Sequence, residues 1–223
     1  KYALNEKDFF PSASLYKLVL LAAAMKEIEA TRLKLEDTIR GSKFALTAQM
    51  GSVDFGYEDM PEDLEFSVEE ILERIGRISD NFASIMLTER LRSDGSNDPL
   101  LSMASELGMN NTSFEGIPNT TASDMALFFK KLYRGEVVSK SASEKIMDVL
   151  SLSNINDRIP ANLPDGVKVI HKTGELPYLR HDAGLVFPNL PNSPNHPYLI
   201  ILLSKDLEFE DEGVDTLAKI SGD

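Results

Sequence analysis

One segment constrains the fold of this chain more than any other. Between Leu15 and Met25 the only charge is Lys17, and the eight residues from Leu18 to Met25 form an unbroken apolar run. A helix over residues 14–30 with this pattern has apolar side chains nearly all round. It has no face suited to water, so it belongs at the centre of a domain. Eight residues fall far short of the roughly 20 that a membrane-crossing helix needs. The chain therefore predicts a buried central helix that begins, unusually, on polar residues: Ser14 and Lys17.

The rest of the chain supplies the walls. The opening residues 1–8 read as the end of a strand and its exit loop. After Gly41 the sequence turns polar and irregular, with Gly51, Gly56 and Pro61. Ser67-Val-Glu-Glu70 is a capping box that opens a helix running to about Ile78. Further helices are expected over residues 82–91 and 100–107, then from the caps Thr121-Ala-Ser-Asp124 and Ser141-Ala-Ser-Glu144. Residues 110–119 read as irregular. From Val167 the pattern changes to short β-rich runs at 167–171, 180–187 and 198–204, the last two separated by a loop with Pro188, Pro191, Pro194 and Pro197. A helix over 210–220 closes the chain. This order predicts an α+β, two-lobed domain over residues 1–223. A mostly antiparallel sheet would come from both chain ends (residues 1–20 and 165–223), with a helical lobe over 21–164. A ligand cleft is expected between the lobes.

Three short motifs fall where chemistry could use them: Ser14-Leu-Tyr-Lys17, Ser79-Asp80-Asn81 and Lys172-Thr173-Gly174. Ser14 and Lys17 are three residues apart on a helix, so they share a face. A serine hydroxyl needs a neighbouring base, and a lysine enclosed by apolar side chains and near other cations has a lowered pKa suited to that task. The helix start also leaves the Ser14 N–H free as half of an oxyanion hole. Ser79 sits at a break between two helices, where its hydroxyl can pass a proton to a leaving amine. Asn81 can bind a substrate amide, hold Lys17, or cap the helix at Phe82, whereas Asp80 reads as structural. Lys172 and Thr173, at the end of a strand, offer a cation and a hydroxyl to a substrate carboxylate, and Gly174 lets a substrate backbone approach. A serine with lysine three residues on arises about once by chance in a chain of this length; all three motifs in order arise by chance in roughly one chain in a thousand.

Taken together the motifs resemble those of class A β-lactamases, the serine hydrolases of the penicillin-recognising superfamily akin to D-Ala-D-Ala peptidases. The resemblance extends to Pro11-Ser-Ala-Ser-Leu-Tyr-Lys-Leu18, Ile78-Ser-Asp-Asn81, Leu107-Gly-Met-Asn-Asn-Thr112, Thr120-Thr-Ala-Ser-Asp-Met-Ala126 and His171-Lys-Thr-Gly174. It implies a β-lactamase/transpeptidase-like fold and hydrolysis of a β-lactam or peptidoglycan-like peptide through an acyl-serine on Ser14. Catalysis would rest on Ser14, Lys17, Ser79 and Lys172, and substrate binding on Asn81, Thr173, Gly174 and Glu175. The backbone N–H of Glu175 would be the second oxyanion donor. The resemblance also implies an extracytoplasmic location, and a helix and strand preceding Lys1.

Two features depart from the family pattern. Class A enzymes release the acyl group with a glutamate-held water, and here only Glu115 and Asn119 reproduce the Glu-x-x-x-Asn spacing, in a short segment. Without such a base, a D-Ala-D-Ala carboxypeptidase or esterase relative that deacylates slowly is the alternative. Relatives also place a small hydroxyl residue where Glu175 stands. A non-catalytic sensor that merely captures ligand is the rival from another class.

Composition narrows the field further. A net charge of −13 argues against nucleic-acid or anionic-membrane partners, which require clustered cations. With no cysteine there is no thiolate metal site or cysteine nucleophile. His171, His181 and His196 lack metal-ligand spacing, so neither a metal nor a cofactor is expected.

Overall fold

The computed structural model of the chain describes residues 2–50, 60–93, 98–188 and 197–222. In chain order a two-residue strand β1 (Phe10–Pro11) leads through a 3-10 turn (Ala13–Leu15) into helix α1 (Tyr16–Glu29). Strand β2 (Thr38–Ser42), helix α2 (Lys43–Met50) and strand β3 (Asp63–Ser67) come next. They are followed by helices α3 (Val68–Ile78), α4 (Asn81–Arg92) and α5 (Pro99–Leu107), and then the short strand β4 (Asn119–Thr120). Helices α6 (Ala122–Tyr133) and α7 (Lys140–Leu150) lead to strands β5 (Lys168–Leu176), β6 (Leu179–Phe187) and β7 (Tyr198–Leu203), and helix α8 (Glu210–Gly222).

Helix α1 occupies the centre, as its composition requires. Every residue from Lys17 to Met25 is buried, with α4, α5 and α7 packed against it. Each fully buried Leu contributes about 2 kcal/mol of apolar transfer energy, so this helix anchors the core. Its side chains join one apolar cluster that extends through the helices to Ile170, Ala183 and Leu185 of the sheet. Helix α3 is amphipathic instead: Ile71, Leu72 and Ile75 face inward, and Glu69 and Glu70 lie in its first turn. The Ser67 side chain accepts a hydrogen bond from the Glu70 N–H, as the capping box predicts. Gly76 lets α3 approach α7 closely, since a Cβ there would lie 2.2 Å from the Val149 carbonyl oxygen.

The α+β class and the antiparallel pairing agree with the sequence; three details are corrected. The three-stranded sheet, in the order β5-β6-β7, is built from the C-terminal part of the chain, not from both ends. At the N-terminal end, Phe10 and Pro11 pair instead with Thr120 and Asn119 of β4. A two-residue strand has too little pattern to betray its partner. Next, β2 and β3 pair antiparallel over Thr38–Ser42 and Asp63–Ser67, in a stretch expected to be irregular from Gly41. Each has one buried residue, Ile39 and Leu64, so the alternation is faint. Gly51 and Gly56 lie outside the described residues, as do Pro191 and Pro194. Last, α7 is capped by Ser139, whose side chain accepts from the Ala142 N–H, two residues before the expected Ser141.

Candidate active site

The site begins at the turn before α1. Ala13 has φ 45° and Ser79 has φ 55°, left-handed conformations that cost a non-glycine residue about 1 kcal/mol or more. Two such residues in one place, one preceding Ser14 and the other following α3, mark a site where geometry has been set at the expense of local strain. Ser14 lies in the 3-10 turn, half-buried, and its hydroxyl has no hydrogen-bond partner among the described residues.

Lys17, one turn further on, is completely buried. Its Nζ donates to the Ser79 carbonyl oxygen at 2.6 Å and to Asn81 Oδ1 at 2.7 Å, and lies 3.3 Å from Ser79 Oγ. The lysine thus reaches across to the Ser79 break and does not hydrogen-bond Ser14. From the other side Lys172, also buried, donates to the same Ser79 Oγ at 2.7 Å and to its neighbour's carbonyl, Thr173 O, at 2.9 Å. Ser79 therefore sits between two lysine amino groups contributed by different elements.

Burial shapes the protonation of both lysines. Lys17 is held well below the ordinary lysine pKa by desolvation and then by the nearby Lys172 charge, with Asp80 opposing. Lys172 is lowered to about 7, again chiefly by desolvation; Asp182 and Glu175 pull it up and Arg158 pushes it down. Neither group behaves as a solvated surface lysine.

The supports are as informative as the site. Asp80, rather than Asn81, caps α4: its Oδ1 accepts from the Ala83 N–H, and its Oδ2 is held by Arg74 at 2.8 Å. That leaves the Asn81 carbonyl oxygen for Lys17. Lys172-Thr173-Gly174 lies within β5, which continues to Leu176 rather than ending at the motif. Gly174 presses on the nucleophile turn, with a Cβ there falling 3.2 Å from Ala13 Cβ and 3.3 Å from Ser12 O. The two-residue turn between Leu176 and Leu179 sets the ladder so that Glu175 pairs with Arg180 in a non-hydrogen-bonded position. The Glu175 N–H consequently faces away from β6, towards the open strand edge.

Sequence reasoning missed a buried polar layer under β5. His171 Nδ1 lies 2.8 Å from Asp182 Oδ1, and Asp182 Oδ2 accepts from the Ile159 N–H at 3.0 Å. Arg158, 1% exposed, pairs with Glu175. A lone Arg or Asp in a loop or strand gives no sequence signal; only the fold brings them under the motif. A second support joins the two segments around Thr112 and Thr120, where Asp124 accepts from the Asn111 N–H at 2.8 Å and from the Thr112 hydroxyl at 2.9 Å. This holds the loop whose Pro118 carbonyl accepts from the Ser12 N–H at 2.7 Å, beside the nucleophile turn. Glu115 is exposed in that loop, and the Asn119 side-chain amide turns to its own Ile117 carbonyl.

An antiparallel sheet flanked by helices, with Ser14, Lys17, Ser79 and Lys172 clustered where they meet, defines a β-lactamase/transpeptidase-like fold. The chain belongs to the β-lactamase enzyme family, whose sequence model matches residues 1–223. Among solved structures, a mutant of PBP-A captured as an acyl-enzyme with penicillin G superposes with a TM-score of 0.84 at 23% identity, covering 98% of this chain and 81% of that one. A β-lactamase from Sphaerobacter thermophilus gives 0.83 at 22% identity, covering 99% and 83%. The extended-spectrum β-lactamase TLA-3 gives 0.84 at 23%, covering 98% and 84%. D-alanyl-D-alanine carboxypeptidase DacF of Bacillus subtilis is 30% identical over 150 residues, 62% of this chain. The chain spans only 37% of that relative's length.

Proposed function

We propose that the chain is a serine hydrolase that forms an acyl-enzyme on Ser14, acting on a β-lactam or on a peptide of the peptidoglycan type. The observation that carries this reading is Ser79 Oγ, set 2.7 Å from Lys172 Nζ and 3.3 Å from Lys17 Nζ with both lysines fully buried. Ser14 Oγ attacks the amide carbonyl carbon and its proton passes to neutral Lys17; apo contacts of this kind tighten when substrate binds. Lys172 donates to Ser79 Oγ, and Lys17, once it carries the Ser14 proton, can donate to the same oxygen, so the Ser79 O–H hydrogen is free to point at the departing nitrogen. The proton can then run from Lys17 through Ser79 to the departing nitrogen. The N–H groups of Ser14 and Glu175 receive the oxyanion. Asn81 holds Lys17 and faces the acyl side chain, while Lys172, Thr173 and Gly174 line the substrate's other end. In this scheme the site lies between a sheet lobe and a helical lobe of one domain.

A second reading concerns release. Glu115, the candidate base for deacylation, is exposed, and Asn119 is turned into its own loop rather than towards Glu115. This favours slow deacylation, as in a D-Ala-D-Ala carboxypeptidase or esterase relative. None of the described helices is long and apolar enough to cross a membrane. Either substrate class supports an extracytoplasmic location, periplasmic, secreted or anchored.

Intact-protein mass spectrometry after exposure to benzylpenicillin, and separately to a fluorophosphonate, tests the nucleophile. One added mass on the wild type, absent from Ser14→Ala, is expected. No adduct with either reagent, or full hydrolytic activity in Ser14→Ala, would refute the assignment. A time course of adduct loss separates fast release from slow, and Glu115→Gln is expected to change the release rate less than about three-fold, against the hundred-fold or more expected for a working general base.

A further inference from the structure

The residue after the Lys-Thr-Gly motif is held in a way the reaction scheme does not require. Arg158 is 1% exposed, yet its partners are few: one guanidinium nitrogen pairs with Glu175 Oε1, and another lies 3.4 Å from the His181 carbonyl oxygen. Its Nε is buried with no hydrogen-bond partner among the described residues, and Asp157 Oδ1 lies 3.7 Å from it. A buried guanidinium has five N–H donors to satisfy, so this one is under-supplied with acceptors. Glu175 stands half exposed above it, the lid on a buried cation.

The neighbourhood explains what Glu175 competes with. Lys172 lies close enough to Glu175, Arg158 and Asp182 for all three charges to act on it. Asp182 is completely buried and committed to His171 and the Ile159 N–H. Arg180, opposite Glu175 across the sheet, is committed to Glu210 and to the carbonyls of Leu176 and Leu179. Among the described residues the cations that meet at this part of β5 are Lys172 and Arg158, and the anion that meets them from the solvent side is a side chain of the protein itself.

On the reading that Ser14 is the nucleophile, we propose that Glu175 is a built-in counter-anion and the specificity determinant of this site. It occupies the guanidinium that an incoming carboxylate would seek, so the site selects acyl donors that present an uncharged carboxamide or ester at Thr173–Glu175. A substrate carboxylate must either displace Glu175 and break its pair with the buried Arg158, or lie beside it with like charge. A neutral carbonyl meets no such penalty and leaves the Glu175–Arg158 pair in place. Such a repulsive element discriminates between substrates even when the rest of the pocket treats them alike.

The test compares a matched pair of acylating agents, benzylpenicillin and its methyl ester, by the second-order rate of adduct formation on Ser14. Wild type and Glu175→Gln are measured side by side, and the ratio of ratios removes the intrinsic reactivity of each reagent. The acid-to-ester rate ratio is expected to rise about ten-fold or more in Glu175→Gln, mainly through a faster reaction with the acid. Glu175→Thr, which also drops the Arg158 bond, is expected to shift the ratio in the same direction and serves if the glutamine variant misfolds. A ratio unchanged by the substitution, or lowered, overturns the proposal. If Ser14 takes up neither penicillin nor a fluorophosphonate in wild type, the nucleophile reading itself fails, and this proposal with it.

Discussion

The chemistry at the residue scale turns on two lysines that share one hydroxyl. Each is stripped of water, and each is repelled by a neighbouring cation, so Lys17 gives up its proton far more readily than a solvated lysine while Lys172 titrates at about 7. Acylation needs Lys17 neutral to accept the Ser14 proton and Lys172 charged to polarise Ser79. The rate is therefore expected to rise as Lys17 loses its proton and to fall as pH passes about 7 and Lys172 loses its own. Because the two groups interact, the limbs of this bell belong to the pair and not to either residue alone. Lys172→Arg, whose guanidinium stays charged throughout, is expected to flatten the alkaline limb. An unchanged limb in that variant would show that Lys172 protonation does not gate the step. Lys17→Met is expected to lower acylation kcat/KM by about 10²- to 10⁴-fold, the usual worth of a positioned base.

The loop between α3 and α4 does more at the element scale than connect them. Asp80 is 1% exposed, caps α4 through the Ala83 N–H and holds Arg74, while Ser79 before it takes the left-handed conformation that carries its hydroxyl to both lysines. Removing the carboxylate leaves Arg74 without this partner and α4 without its cap. Asp80→Ala is expected to cost about 3 kcal/mol in urea unfolding and to slow acylation through the displaced Ser79. A variant as stable and as fast as wild type would mean that this carboxylate supports neither. The elements legible in the sequence were those with strong local rules. The apolar run of α1, the cap at Ser67 and the cap at Thr121 each specify their element within a few residues. The three motifs announced the lysines and hydroxyls because the residue types themselves carry the chemistry. Arg158, Asp182 and Asp124 were not legible, since each gains its role from a partner more than ten positions away in sequence. The β1–β4 and β2–β3 pairings failed for the same reason: short strands with few buried residues owe their existence to the partner.

Across the whole molecule the buried cations sit in a chain of net charge −13, so the protein's own field favours their protonation while burial opposes it. Desolvation wins at Lys172, whose pKa falls from 10.5 to about 7. The sign of the stability effect follows. Above pH 10.5 both folded and unfolded chains hold this amine neutral; between about 7 and 10.5 the unfolded chain keeps a proton that the folded chain has released. The unfolded state then binds more protons, so the free energy of unfolding climbs as pH rises across that window and is lost as pH falls back towards 7. Below about 7 both states are protonated and the full cost of a buried ammonium remains. Lys17, shifted in the same direction, adds to the slope. Lys172→Met lacks this dependence, and its stability advantage over wild type is expected to shrink by about 1.4 kcal/mol for each pH unit between roughly 7.5 and 9.5. Urea unfolding of both proteins at several pH values reads the difference directly. Parallel stability curves would mean that Lys172 keeps its proton in the folded state, and the hydroxyl relay through Ser79 would then need another source for its alkaline limit.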